Sequence, residues 1–256
     1  MSNAISKIWA DRFTEKRGLD DRFYSYIFNV VKKKIAKDKT CKWLDIGCGD
    51  GRILIPLALR FPLIKFFGID NNNVMVSNLN KIVKTKKIYN LSSENKSGEY
   101  YLNKKIRFRA ISFFQSIHFF NYKEILKKSH ERLEKGGWII IATTTHDQFK
   151  SIPYSSDPLI YQIEIKRTPS WPNIVSVLKK QKLKLKAIKS FSVSRVFNNS
   201  AELGGYLNSI PYSALGLLKP KERKVILEKI VNKYRSKKRI NFTVDKFTIG
   251  IFQLYE

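Results

Sequence analysis

Nine residues, Trp43-Leu44-Asp45-Ile46-Gly47-Cys48-Gly49-Asp50-Gly51, constrain this chain more than any other stretch. An apolar run ends in an acid, three glycines follow at a spacing of two, and residues 52–60 read as a helix. That order predicts a strand, a tight turn and a helix start. Glycines in the turn let the main chain take positive φ and let a ligand approach it with no Cβ in the way. The free amides at the helix start then point at that ligand. A dinucleotide loop has the spacing G-x-G-x-x-G, which seats a pyrophosphate on the helix N-terminus. Here the spacing is G-x-G-x-G, and two carboxylates, Asp45 and Asp50, belong to the loop. They repel a pyrophosphate and attract a cation.

This acid-x-G-x-G-x-G loop resembles the first motif of the class I S-adenosylmethionine-dependent methyltransferases, and the nine residues match it without a gap. S-adenosylmethionine carries an ammonium and a sulfonium, so the loop acids suit it. The resemblance implies an α/β fold: a doubly wound, seven-stranded, mostly parallel Rossmann-like sheet, with helices on both faces and a helical lid inserted before the last strand. It also implies that Asp45, Gly47 and Gly49 hold the amino-acid end of the cofactor, with Cys48 and Asp50 in the same loop.

Downstream landmarks follow in the family's order. Ile64 to Asp70 reads as a second strand ending in an acid, 19 residues beyond Gly51. An acid at the carboxyl end of that strand can accept ribose hydroxyls, which assigns Asp70, with Asn71 beside it, to the ribose. The next strand is placed at residues 87–91, followed by a polar loop over 92–103. By resemblance, Glu94 or Asn95 in that loop contacts the adenine. Arg107 to His118 resembles the fourth-strand motif of small-molecule methyltransferases, with Arg109 in place of the usual acid and Phe119 where a second histidine is common. Ligands sit outside the carboxyl ends of parallel strands, so Gln115, Ser116 and His118 are expected near the transferred methyl. Residues 122–134 read as an amphipathic helix that Gly136 and Gly137 terminate with a left-handed cap. Trp138 to Thr144 follows as a buried fifth strand. The Leu-Glu-Lys-Gly-Gly turn resembles the family's Leu-Lys-Pro-Gly-Gly.

Around this core the spacing puts Phe23, Tyr26, Ile27, Val30, Val31 and Ile35 on one helical face, and the resemblance implies that residues 1–38 form an N-terminal helical lid with Trp9, Phe13 and Arg17 as candidate lid residues. The methyltransferase core covers 39–190 and 240–256, with a strand over 183–188. A helical insertion over 191–239 is long enough to serve as a substrate lid. His118, His146 and Tyr212 are the candidate proton acceptors if the acceptor needs deprotonation. The expected reaction is methyl transfer to N or O, less readily C, of a small molecule, with S-adenosylhomocysteine as product. RNA or protein methylation and a non-catalytic cofactor-binding module are the alternatives.

Charge bears on the partner. The chain carries 49 Lys and Arg against 21 Asp and Glu, a formal +28, which raises the question of a polyanion. The lysines are scattered along every segment, so a solvated surface is favoured over nucleic acid. No stretch of about 18 apolar residues suggests a membrane span, and the first residues lack an apolar signal-peptide centre. A cytoplasmic protein without a membrane partner is expected. The two cysteines, Cys41 and Cys48, have no metal-ligand spacing, so no metal is expected. The sequence sets no oligomeric state.

Overall fold

Both faces of the central strand are buried, and this explains the near-continuous apolar run that the sequence shows there. In the computed structural model, which describes residues 21–36, 40–153, 155, 157–209 and 214–255, β1 (Lys42–Ile46) lies between β2 (Lys65–Asp70) and β4 (Phe108–Phe114) and pairs parallel with both. β3 (Leu91–Asn95) pairs parallel with β2, and β5 (Leu133–Thr143) parallel with β4. β7 (Ile240–Leu254) runs antiparallel to β5. With β6 (Leu183–Phe197) the sheet has seven strands in the order β3-β2-β1-β4-β5-β7-β6. This is the expected doubly wound, mostly parallel sheet.

The helices are α1 (Asp21–Val30), α2 (Leu54–Arg60), α3 (Asn73–Thr85), α4 (Gly98–Leu102), α5 (Tyr122–Glu131), α6 (His146–Ser151), α7 (Pro158–Arg167), α8 (Trp171–Lys180), α9 (Ser200–Ser209) and α10 (Pro220–Asn232). Two compact units divide the chain. The first comprises Asp20–Thr143, Pro169–Lys189 and Thr248–Glu256. Leu44, Ile46, Ile111, Phe113, Ile139 and Ile141 from its parallel strands share one core with Ile125 and Leu126 of α5 and Ile174 and Leu178 of α8. Each such side chain contributes roughly 1.5–3 kcal/mol by leaving water. The second unit comprises Thr144–Thr168 and Ser190–Phe247. Ile160, Leu203, Leu207, Ile226, Leu227 and Phe242 form its own core. Proline at the first position starts both α7 and α10, where its missing N–H costs nothing.

Four local expectations change. The third strand is Leu91–Asn95 rather than 87–91, and α4 occupies part of the expected loop over 92–103. β3 ends the sheet, so only Leu91 in it is buried and its Ser-Ser-Glu-Asn remainder stays polar. Asn90 fixes its start by donating from Nδ2 to the carbonyls of Ala58, Phe61 and Ile64. The Gly136-Gly137 pair does not cap α5, which ends at Glu131; it lies inside β5 as a bulge. Phe108 pairs with Leu133 and Ala110 with Trp138, so the extra residues loop out, with Gly136 at φ 67°. Arg107 and Arg109 tie this bulge to β4 by donating to the carbonyls of Leu133 and Lys135. Finally, α2 begins at Leu54, two residues later than expected, and β6 continues past Ile188 to Phe197. The helical face of α1 holds as expected, with Phe23, Ile27 and Val30 buried and the helix continuing into a π-helical turn over Val31–Ile35. Trp9, Phe13, Arg17 and Tyr212 lie outside the described residues.

Candidate active site

The loop after β1 is tied down at both ends. The amides of Gly47 and Cys48 donate to the Ile69 carbonyl at 2.8 and 3.0 Å, which fastens the loop to the end of β2. Gly47 has φ 76°, and a Cβ there would fall 2.4 Å from the Cβ of Ser116. Ser116 is buried and donates its hydroxyl proton to the Ile46 carbonyl, bracing the end of β1 against the segment that follows β4. Gly49, at φ 57°, differs: a Cβ there would meet nothing within 4 Å. The open side of the loop is therefore at Gly49.

Asp70 organises that open side. Its Oδ2 accepts the Gly49 amide at 2.9 Å and its Oδ1 accepts the Asn72 amide at 2.8 Å. Each oxygen keeps a second lone pair for another donor. Burial raises the Asp70 pKa, the two amides oppose the rise, and Asp50 adds to it. Asn71 beside it is exposed, and Asn72 caps α3 by accepting the amides of Val74 and Met75. Asp50 is buried and accepts the Arg52 amide at 3.2 Å.

Asp45 is the least expected component in physical terms, a carboxylate 2% exposed on the central strand. Ser112, its register partner on β4, donates to Oδ1 at 2.6 Å, and Trp43 Nε1 donates to the Ser112 oxygen at 2.8 Å. Burial pushes the Asp45 pKa up to about 7, against the Ser112 hydrogen bond and with help from the charge of Asp70. Burial and the charges of Asp45, Asp70 and Asp50 also push the Cys48 thiol well up. That disfavours the thiolate, the form in which a cysteine reacts. These upward shifts mark negative charge crowded into low dielectric, a condition that a cationic ligand relieves.

Gln115 stands at the carboxyl end of β4 with φ 55°, its amide donating to the Ala142 carbonyl at 2.7 Å. Its side-chain Nε2 is buried without a hydrogen-bond partner among the described residues. An orphaned donor of this kind calls for a ligand or water. His118 follows on the 3-10 turn Ile117–Phe119, its ring 4.1 Å from that of Phe119. Glu94 pairs with Lys104 at 3.1 Å and accepts the Tyr101 hydroxyl, whose pKa rises to about 12 mainly through burial. Asn95 donates from Nδ2 to the Asp70 carbonyl at 2.9 Å. Thus Asp45, the loop over 47–50, Asp70, Gln115 and Ser116 gather at the carboxyl ends of β1, β2 and β4, where open α/β sheets bind ligands.

His146 belongs to the second unit. Its Nε2 donates to the Thr168 carbonyl at 2.8 Å, and it lines a cavity of about 460 Å3 with Gln162, Ile163, Ile165 and Lys166. Sequence reasoning passed over Trp43 and Ser112 as site supports. The available signal was Ser112 itself, the one hydroxyl inside the apolar Phe108–Phe114 strand. No group of three His, Cys, Asp or Glu among the described residues is placed to hold a metal ion.

Strand order, glycine loop and paired strand-end acids together define a class I methyltransferase architecture. The methyltransferase domain family matches residues 8–183, more than half of the sequence. The chain belongs to that family and is an S-adenosylmethionine-dependent methyltransferase. It is 33% identical over 85 residues to ribosomal RNA small subunit methyltransferase G of Mycoplasma mobile, a match that takes in 31% of this chain and 37% of the relative's length. Among solved structures, the YcgJ protein of Bacillus subtilis superposes with a TM-score of 0.63 at 13% identity, covering 91% of this chain and 99% of that one. The plantazolicin methyltransferase BpumL, solved with a pentazolic desmethylPZN analog and S-adenosylhomocysteine, gives 0.59 at 17% identity, covering 99% and 90%.

Proposed function

We propose that this methyltransferase transfers the methyl group of S-adenosylmethionine to a nitrogen or oxygen of a small-molecule acceptor. The observation that carries the cofactor part is the crowding of Asp45, Asp50 and Asp70 at the open loop, where all the resolved shifts are upward. The cofactor supplies an electrophilic methyl on a sulfonium. Asp45, Gly47, Cys48, Gly49 and Asp50 bind its amino-acid end, Asp70 and Asn71 the ribose, and Glu94 or Asn95 the adenine. Gln115 and Ser116 lie beside the sulfonium, and Gln115 Nε2, unpartnered among the described residues, is left to donate to an oxygen of the cofactor's carboxylate or of the acceptor. Alignment of acceptor and methyl accounts for up to about 7–11 kcal/mol of the barrier. His118, His146 and Tyr212 are the groups that take a proton from the acceptor where one must leave. Residues 1–38 and 191–239 select the acceptor.

The small-molecule reading is supported by the segment after β4. It reads Gln115-Ser116-Ile117-His118 and lacks the Asn-Pro-Pro-Tyr type of signature used on flipped bases. The partial identity to a ribosomal RNA methyltransferase favours RNA as the second reading. Methyl-labelled S-adenosylmethionine, incubated with the protein and with separated small-molecule and RNA fractions of a cell extract, distinguishes the two. Label in the small-molecule fraction is expected; label only in RNA overturns the proposal.

Asp70→Asn tests the ribose assignment. Both Asp70 oxygens accept amides, so the substitution turns one of them into a donor facing a donor. A weakening of cofactor binding by about 1.5–3 kcal/mol is expected from a lost charged acceptor, read by calorimetric titration with S-adenosylhomocysteine. Unchanged affinity removes Asp70 from the site.

A further inference from the structure

Outside the cofactor site, lysines concentrate where α8 passes into β6. Residues 179–189 read Lys-Lys-Gln-Lys-Leu-Lys-Leu-Lys-Ala-Ile-Lys, six lysines and no acid. β6 is the last strand of the sheet, and its alternation leaves Lys184 and Lys186 exposed on one face. Tyr255 lies beside them. Its amide donates to the Lys182 carbonyl at 3.0 Å, and its ring centre is 5.4 Å from Lys184 Nζ and 5.0 Å from Lys186 Nζ. The tyrosine remains 39% exposed. Among the described residues, Lys179, Lys180, Lys182, Lys184 and Lys186 form no ion pair. Lys182 also adds to burial in lowering the His130 pKa, against the charge of Glu131.

We propose that this surface binds single-stranded RNA, a base stacking on Tyr255 while Lys184, Lys186 and the lysines of the preceding turn hold phosphates. Alternating ammonium groups and an accessible aromatic ring are what an unpaired strand requires, because every base has a π-face and every step a phosphate. Edge-strand lysines also prevent pairing with another chain, but that role needs neither the exposed ring nor the lysines at the end of α8. A lipid surface suits the patch poorly, since among residues 179–189 the exposed large apolar side chain is Ile188 alone. β6 lies four strands from β1 and its glycine loop in the sheet order.

The test is fluorescence anisotropy with a labelled oligouridine of roughly 12 nucleotides, within the usual site sizes. Wild-type affinity is expected to fall steeply with salt, and the K184Q/K186Q double variant to flatten the slope by about 1.4, at ~0.7 per phosphate contact on a single strand. Tyr255→Ala is expected to weaken binding about tenfold, while Tyr255→Phe keeps the stacking ring and the affinity. K84Q/K86Q, which removes equal charge at the end of α3, should change affinity less than about twofold if contacts rather than bulk charge govern binding. Equal loss in that control overturns the proposal, as does absence of RNA binding by the wild type. Tighter binding to vesicles of anionic phospholipid than to RNA, indifferent to Tyr255→Ala, overturns it as well. Titration with S-adenosylhomocysteine should be the same for all of these variants, which separates failure of this surface from failure of the cofactor site.

Discussion

Asp45→Asn is expected to stabilise the cofactor-free protein at pH 8 and to weaken cofactor binding in the same stroke. The carboxyl is held at about 7 in the folded state against an ordinary value of 3.8. Between those values the native state keeps a proton that the unfolded chain has released, so stability falls as pH rises through the window and the loss is complete above about pH 7. At 1.36 kcal/mol per pKa unit the loss is on the order of 4 kcal/mol. Asparagine avoids it, and its amide oxygen can still accept the Ser112 hydroxyl that now donates to Oδ1. The variant and the wild type should therefore unfold alike near pH 4 and diverge toward pH 8, the variant being the more stable. With S-adenosylhomocysteine present the order should narrow or reverse, because the ligand's ammonium interacts with a charge that asparagine lacks. Thermal unfolding across pH, with and without ligand, reads both effects; parallel curves for the two proteins would contradict the account. On the proposed function, Asp45 is a charge kept for the cofactor at a cost in stability.

Two glycines of one loop, Gly47 against Ser116 and Gly49 facing open space, give the second large effect. Gly47→Ala places a methyl 2.4 Å from the Ser116 Cβ at φ 76°. A left-handed residue with a Cβ costs roughly 1–2 kcal/mol and overpacking roughly 1–3, about 2–5 kcal/mol together. Ser116 has little room to yield, since its hydroxyl is bound to the Ile46 carbonyl in the interior. For a chain of this size the melting temperature should drop by roughly 5–15 °C. Gly49→Ala carries only the backbone part, because its methyl meets open space. The proposed function puts the cofactor in that space, so the variant should melt within a few degrees of wild type, about 2–4 °C per kcal/mol, yet bind S-adenosylhomocysteine weaker by roughly 1–3 kcal/mol. A Gly49→Ala variant with full affinity would place the ligand elsewhere.

The parts of this architecture that local chemistry dictates were legible in the residues. A strand buried on both faces, a glycine turn and a following helix announce themselves within nine positions, and Asp70 follows at the end of the next strand. β3 was misplaced by four residues because an edge strand needs few apolar side chains, so Leu91-Ser-Ser-Glu-Asn95 looks like a loop. The Gly136-Gly137 pair has the same local signature whether it caps a helix or bulges a strand. Only its pairing across Phe108 and Ala110 decides, and that contact is remote in sequence. Ser112 became part of the site through register: 67 residues from Asp45, it lies opposite it on the neighbouring strand. The length of β6 was likewise hidden, since beyond Ile188 its alternation of Ser190, Ser192 and Ser194 with Phe191 and Val193 resembles a polar connection.

The central claim is that the carboxylate-rich loop at the end of β1 receives a cationic methyl-donor cofactor. Calorimetric titration of the wild-type protein with S-adenosylhomocysteine, whose ammonium is the charge the loop would meet, tests it most directly, run at pH 6 and pH 8 in buffers of differing ionisation enthalpy. The account predicts one-to-one micromolar binding, about −8 kcal/mol, tighter at pH 8, with a proton released on binding at pH 6 as Asp45 gives up its hydrogen to pair with the ligand's charge. No binding at either pH, or binding with neither pH dependence nor proton release, would contradict it.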